Sequence, residues 1–90
     1  NKETLMTEGY YVATGDGMTI TMPDNPQKGA TIIIIQQTSG KVYFNGNGYE
    51  FCSGGSTRAT AFSNVNGQWS LFLFDGDCWQ GACLDGGTLW

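Results

Sequence analysis

The carboxylates of Asp75-Gly76-Asp77, and Asp16 between Gly15 and Gly17, are the groups closest to a catalytic spacing in this chain. A glycosidase needs two carboxylates about 5–9 Å apart, one with a raised pKa. Nothing around these positions suggests a buried acid, and Asp is favoured in turns because its side chain accepts hydrogen bonds from the backbone two residues on. The same Asp75-x-Asp77 lacks the further oxygen ligands of a calcium loop. The chain contains no His, which excludes a His-based nucleophilic triad, and no local motif supplies Cys or Ser with another base. Three cysteines, Cys52, Cys78 and Cys83, fall short of the four ligands of structural zinc. No helix follows Gly15-Asp16-Gly17 or Gly54-Gly55 to make either a phosphate loop. The residues therefore predict no catalytic group, no metal site and no cofactor: a protein that is not an enzyme.

Binding chemistry has better candidates. Trp and Tyr present an apolar ring with a polar handle and stack on sugar faces, and Trp79, Trp90, Tyr10, Tyr11, Tyr43 and Tyr49 lie near turns or ends. Tyr43 and Tyr49 flank Asn45-Gly46-Asn47-Gly48, so both can project near one edge, with Asn45 and Asn47 offering hydrogen bonds to hydroxyl groups. Arg58, the only Arg, can pair with a carboxylate across a subunit boundary or meet an acidic glycan. Tyr43, Asn45, Asn47, Tyr49, Arg58 and Trp79 are the candidate receptor contacts. The competing reading of each aromatic is a place in the core or in a subunit interface.

Ninety residues make one domain, and a chain of this size buries roughly 60–65% of its unfolded surface, so it gains from a staple or from oligomerisation. Charged residues are 13% of the total and the net charge is −4, so no basic patch exists to bind nucleic acid or an anionic membrane. No apolar stretch is long enough to span a bilayer. The chain opens on Asn1-Lys2-Glu3-Thr4, with neither an initiator Met nor a signal-peptide core, and reads as a piece of something longer. The odd number of cysteines argues against a complete disulfide framework. Cys78 and Cys83 could close a small loop, but free, partly buried thiols are favoured on compartment grounds.

Residues 1–9 read as a lead-in and 10–90 as a single β domain. Tyr10–Thr14, Met18–Met22, Ala30–Gln37, Lys41–Phe44, Tyr49–Cys52, a weak Ala61–Val65, Gln68–Phe74 and Cys78–Gln80 are predicted strands, separated by Gly, Asn, Asp and Pro turns. Asn45-Gly46-Asn47-Gly48 and Asn66-Gly67 are hairpin signals. Short strands with a turn every 8–12 residues predict an all-β fold, a small antiparallel sandwich or jelly-roll-like barrel.

Two strands are apolar on both faces. Side chains alternate along a strand, so Ile32 and Ile34 point one way and Ile33 and Ile35 the other; Leu71–Phe74 repeats the pattern. Leaving Ile33, Ile35, Phe72 and Phe74 in water forfeits roughly 6–12 kcal/mol, comparable to the whole stability of a small domain. These four are the predicted subunit-interface residues, unless a covering loop hides them within one chain.

The order of pieces is itself informative: an alternating strand closed by Met22-Pro23, a loop carrying Lys28-Gly29, the β-branched run, Val42-Tyr43-Phe44-Asn45-Gly46, Asn66-Gly67-Gln68-Trp69, then Asp75-Gly76-Asp77-Cys78-Trp79. From Thr19 to Trp79 this resembles the small trimeric β-sandwich domains at the ends of bacteriophage tail fibres, tail spikes and head fibres, with Met22 where that pattern has Leu and with a Cys- and Gly-rich tail it lacks. The resemblance implies a homotrimer on a virion appendage, made in the bacterial host cytoplasm, binding a host-surface glycan or protein. It also admits a head-fibre, capsid-decoration or trimerisation domain without a receptor. The residues alone also allow a carbohydrate-binding module.

Overall fold

The computed structural model describes residues 2–4 (backbone only), 9–84 and 89. Among the described residues ten strands carry the fold: β1 Lys2–Thr4, β2 Gly9–Ala13, β3 Thr19–Thr21, β4 Thr31–Gln36, β5 Val42–Asn45, β6 Phe51–Ser53, β7 Ser56–Arg58, β8 Thr60–Ser63, β9 Trp69–Phe74 and β10 Trp79–Cys83. They form two sheets, sheet A in the order β1-β3-β5-β8 and sheet B in the order β2-β4-β9-β10-β6-β7. The result is the all-β sandwich the sequence predicts, with no helix among the described residues. Lys2–Thr4, expected as lead-in, is the edge strand of sheet A.

The pairing is mixed rather than antiparallel throughout. From β1 to β6 the chain alternates between the sheets at every step. Each strand thus returns to its own sheet after one strand of the other, so β1, β3 and β5 run parallel, as do β2 and β4. A parallel pair needs a crossover, and here the facing sheet provides it. The β9–β10 hairpin inserts between β4 and β6, antiparallel to the first and parallel to the second. The two Asn-Gly signals consequently are not hairpins. The turns at Asn47-Gly48 (φ +56° and +96°) and Asn66-Gly67 carry the chain from sheet A to sheet B. Asn-Gly sets a reversal of direction, whereas the burial pattern of the following strand decides which sheet receives it.

Successive corners are tied together. The Asp16 carboxylate accepts from the Thr38 hydroxyl and from the Gly40 amide at 2.8 Å, and a Cβ on Gly40 would come within 2.7 Å of the Asp16 side chain. At the other end Asn47 Nδ2 donates to the Met22 carbonyl at 3.1 Å and to Asp24 Oδ1 at 2.6 Å. Gln36 is fully buried. Its Nε2 donates to the carbonyls of Thr38 and Gly40 at 2.8 and 2.5 Å, and its Oε1 accepts from Ser63 Oγ at 2.5 Å.

Between the sheets lie Ile20, Met22, Ile32, Ile34, Val42, Phe44, Phe51, Phe72, Phe74 and Trp79, with Leu89 at one end. Phe72 sits edge-on to Phe44 and Phe51, at centroid separations of 4.9 and 5.5 Å, geometry that adds to simple burial. Phe72 and Phe74 are therefore core residues of a single chain, a correction to their expected place in a subunit interface. Ser70 is buried on the same face of β9, and this phase leaves Leu71 and Leu73 to point outward. Trp79, paired beside Phe74 and Phe51, is completely buried and is corrected from a receptor contact to a core residue.

Cys52 and Cys78 form a disulfide across 26 residues, with a Cα separation of 6.4 Å, in place of the expected free thiols. The parallel register sets Cys52 beside Gln80, two residues beyond Cys78. Cys83 stands at the far end of β10, roughly 17 Å along an extended chain from Cys78, too distant to bridge to it. Cys83 keeps its thiol, with Gln68 Nε2 at 2.7 Å from its sulfur.

Replacing Gln36 with Leu strips the buried Ser63 hydroxyl and the part-buried carbonyls of Thr38 and Gly40 of their partner. At about 1–3 kcal/mol for each unsatisfied group, partly relieved by water, we expect a loss of about 3 kcal/mol in urea denaturation. A midpoint equal to that of the parent chain would contradict this role for Gln36.

Candidate functional site

The two-faced strands lie side by side in sheet B. Tyr10 and Val12 of β2 register with Ile33 and Ile35 of β4, which register in turn with Leu71 and Trp69 of β9. Leu73 pairs with Gln80, and Leu71 with Ala82, on β10. In-register neighbours share a face, so these side chains make one continuous outer surface opposite the core. Tyr10 is 72% exposed, Trp69 46%, Val12 43% and Leu73 41%; Ile33, Ile35 and Leu71 are half-buried. Scaling about 150–250 Å² for a full aromatic side chain by these exposures, the face leaves on the order of 500 Å² of apolar surface in water, at the upper end of what a monomer carries. None of the residues named on it is charged.

Ile33 and Ile35 are thus on an outward face, as the alternation requires. Trp69, Leu71 and Leu73 take the position expected of Phe72 and Phe74. Leu71-Phe72-Leu73-Phe74 is apolar at every position, so the segment does not declare its own phase. The signal that does is Gln68-x-Ser70: both are buried with partners or neighbours inside the sandwich, which puts the odd-numbered residues outside.

Apart from Trp79 in the core, the predicted receptor contacts separate into three groups. Tyr43 is exposed on the outer face of sheet A, opposite Phe62, whose ring lies 4.7 Å beneath the Lys41 ammonium. Arg58 is on β7 at the edge of sheet B, with Nη1 donating to the Thr57 carbonyl at 3.2 Å. Asn45 and Tyr49 come together in an open recess of about 270 Å³, lined also by Gly46, Gly48, Glu50 and Ala59. Asn47 stands beside it, but its amide is engaged in holding the Met22–Asp24 corner. Gly46, Gly48, Glu50 and Ala59 are lining residues absent from the predicted contacts; the two glycines belong to the predicted turn, whereas Glu50 and Ala59 flank the β6–β7 hairpin and meet because that hairpin folds back. Tyr11 packs against the core, and Trp90 lies outside the described residues.

The Asp75–Cys78 turn closes the β9–β10 hairpin at the same end of the sandwich as this recess. Asp75 Oδ1 accepts from the amides of Asp77 and Cys78 at 2.8 and 2.9 Å, and Oδ2 from Gln80 Nε2 at 2.7 Å. The Cys78 amide, then the Gln80 side chain and the Asp77 amide, hold its pKa down from 3.8 to about 2. Asp16 is lowered too, first by the Thr38 hydroxyl and then by the Gly40 amide. Hydrogen bonds to the charged form explain both. These carboxylates are turn caps, lacking the raised pKa a general acid needs. Compared with known proteins, the chain matches no family model, no curated protein and no solved structure.

Because the folded pKa of Asp75 is below its ordinary value, its contribution to stability is complete above pH 3.8 and is lost as the pH falls toward about 2. Asp75→Asn should flatten the acid limb of the Tm–pH curve across that window. An acid limb identical to that of the parent chain would count against the cap.

Proposed function

We propose that this chain is a non-enzymatic assembly and recognition domain whose copies associate through the outer face of sheet B, serving on a bacteriophage appendage (a tail fibre, tail spike or head fibre) in contact with the host surface. The uncharged apolar face running from Tyr10 to Leu73 carries this reading. A standard interface buries about 800 Å² on each partner, and the face supplies more than half of that as apolar area. Its lack of charge means that copies with a net charge of −4 can meet there without opposing like charges at close range. The tail-fibre setting rests on the resemblance carried by Met22-Pro23, the isoleucine run and Asp75–Trp79, which implies three copies in a particle and a glycan or protein receptor.

Light scattering on the eluting protein tests the assembly. We expect a particle of three chains, each of 9.7 kDa, and a shift to single chains for Leu73→Lys with an unchanged β-sheet circular dichroism spectrum. A parent chain that elutes as one copy at micromolar concentration overturns the proposal.

A further inference from the structure

Resting on the recognition half of that reading, we infer that the recess between the β5–β6 corner and the end of β7 is a saccharide site, built for a neutral sugar. The recess is open to solvent and has the volume of a one- to two-ring ligand, about 270 Å³. Its walls are held by the fold. Gly46 is buried, and a Cβ there would strike the Tyr49 carbonyl, so the corner closes as tightly as a backbone can. The Tyr49 amide donates back to the Gly46 carbonyl at 3.3 Å, and the Glu50 carbonyl accepts from the Trp79 amide at 2.8 Å. The Tyr49 ring stands edge-on to Phe74 with centroids 4.9 Å apart, which fixes its plane before any ligand arrives. Preorganisation of this kind lowers the entropy lost on binding.

Three residue chemistries line this space: Tyr49, half-buried with its ring against the core, the Asn45 side-chain amide and the Glu50 carboxylate. Asn45 Oδ1 already accepts from the Asn47 amide at 2.8 Å, which fixes the orientation of its amide and leaves the Nδ2 hydrogens as donors. Glu50 is exposed and offers acceptors. A donor and an acceptor beside an aromatic ring match the paired hydroxyls and the C–H face of a sugar. Glu50 and the net charge of −4 disfavour an acidic sugar, and among the described residues no cationic side chain lines the recess.

The test is a ¹⁵N–¹H titration of the full chain with methyl β-glucoside, methyl β-galactoside, N-acetylglucosamine and sialic acid, alongside a glycan array. We expect saturable shifts of the Gly46, Gly48, Tyr49, Glu50 and Ala59 amides with at least one neutral sugar, and none with sialic acid. Asn45→Ala and Glu50→Ala should each weaken that binding about tenfold, the loss of a hydrogen bond, and Glu50→Ala should do so without moving the melting temperature. Silence toward all neutral probes, shifts centred elsewhere, or binding untouched by both substitutions overturns the inference. Particle mass is measured separately: a trimer with a silent recess defeats the saccharide site alone, and a monomer that binds sugar defeats the assembly alone.

Discussion

Strict alternation of side chains along a strand is the constraint on which this structure turns. A sheet has two faces, and a chain of 90 residues makes one core. In β4 and β9 every position from Ile32 to Ile35 and from Leu71 to Phe74 is apolar, so filling the interior with Ile32, Ile34, Phe72 and Phe74 commits Ile33, Ile35, Leu71 and Leu73 to the outside. No rotation of the strands escapes this, because a one-residue slip merely exchanges the two sets. The neighbours reinforce it: Tyr10 and Val12 of β2, in register with β4, add their side chains to the same surface. The interior is well served by this arrangement and the exterior is left with an unpartnered face. The proposed assembly is the physical answer to that imbalance.

The path of the chain gives this face its solidity. Switching sheets from β1 through β6 winds the backbone into a flattened coil, and the corners of the coil lock to one another through Asp16 and Asn47. The strands β4 and β9, which carry Ile33, Ile35, Trp69, Leu71 and Leu73, are paired on both edges, and the edge strand β2 adds Tyr10 and Val12. The disulfide between Cys52 and Cys78 fastens the peripheral β6–β7 hairpin to β10. By restricting the unfolded chain over 26 residues, such a bridge contributes on the order of 3 kcal/mol, a large share for so small a domain. The same hairpin places Ala59 against Asn45 and Tyr49, which connects the staple to the shape of the recess.

Much of the fold was legible because strand periodicity and turn chemistry are local. Thr19–Thr21, Thr31–Gln36 and Trp69–Phe74 stand where β-branched and aromatic runs predict them. What local patterns do not encode is pairing. Asn66-Gly67 has the composition of a hairpin turn, yet Ser63 and Gln68 on either side are buried in opposite sheets, and tertiary burial prevails over the turn signal. Trp79 shows the same limit: beside a turn it resembles a surface ring, but Phe74 across the β9–β10 hairpin and Phe51 from a distant part of the chain enclose it. The cysteine pairing depended on β6 and β10 being adjacent, a fact about topology that no spacing in the sequence conveys. Of the candidate site, Asn45 and Tyr49 were legible from the turn they flank, and Glu50 follows Tyr49 directly, whereas Ala59 joins them only through the fold.

The central claim is that another copy covers the outer face of sheet B. The most direct measurement is an isotope-filtered NOE experiment on a mixture of ¹³C-labelled and unlabelled chains, which detects protons in contact across copies. The account predicts intermolecular signals at Tyr10, Val12, Ile33, Ile35 and Leu73. Their absence, or signals arising instead from Tyr43 and Phe62 on sheet A, would contradict it.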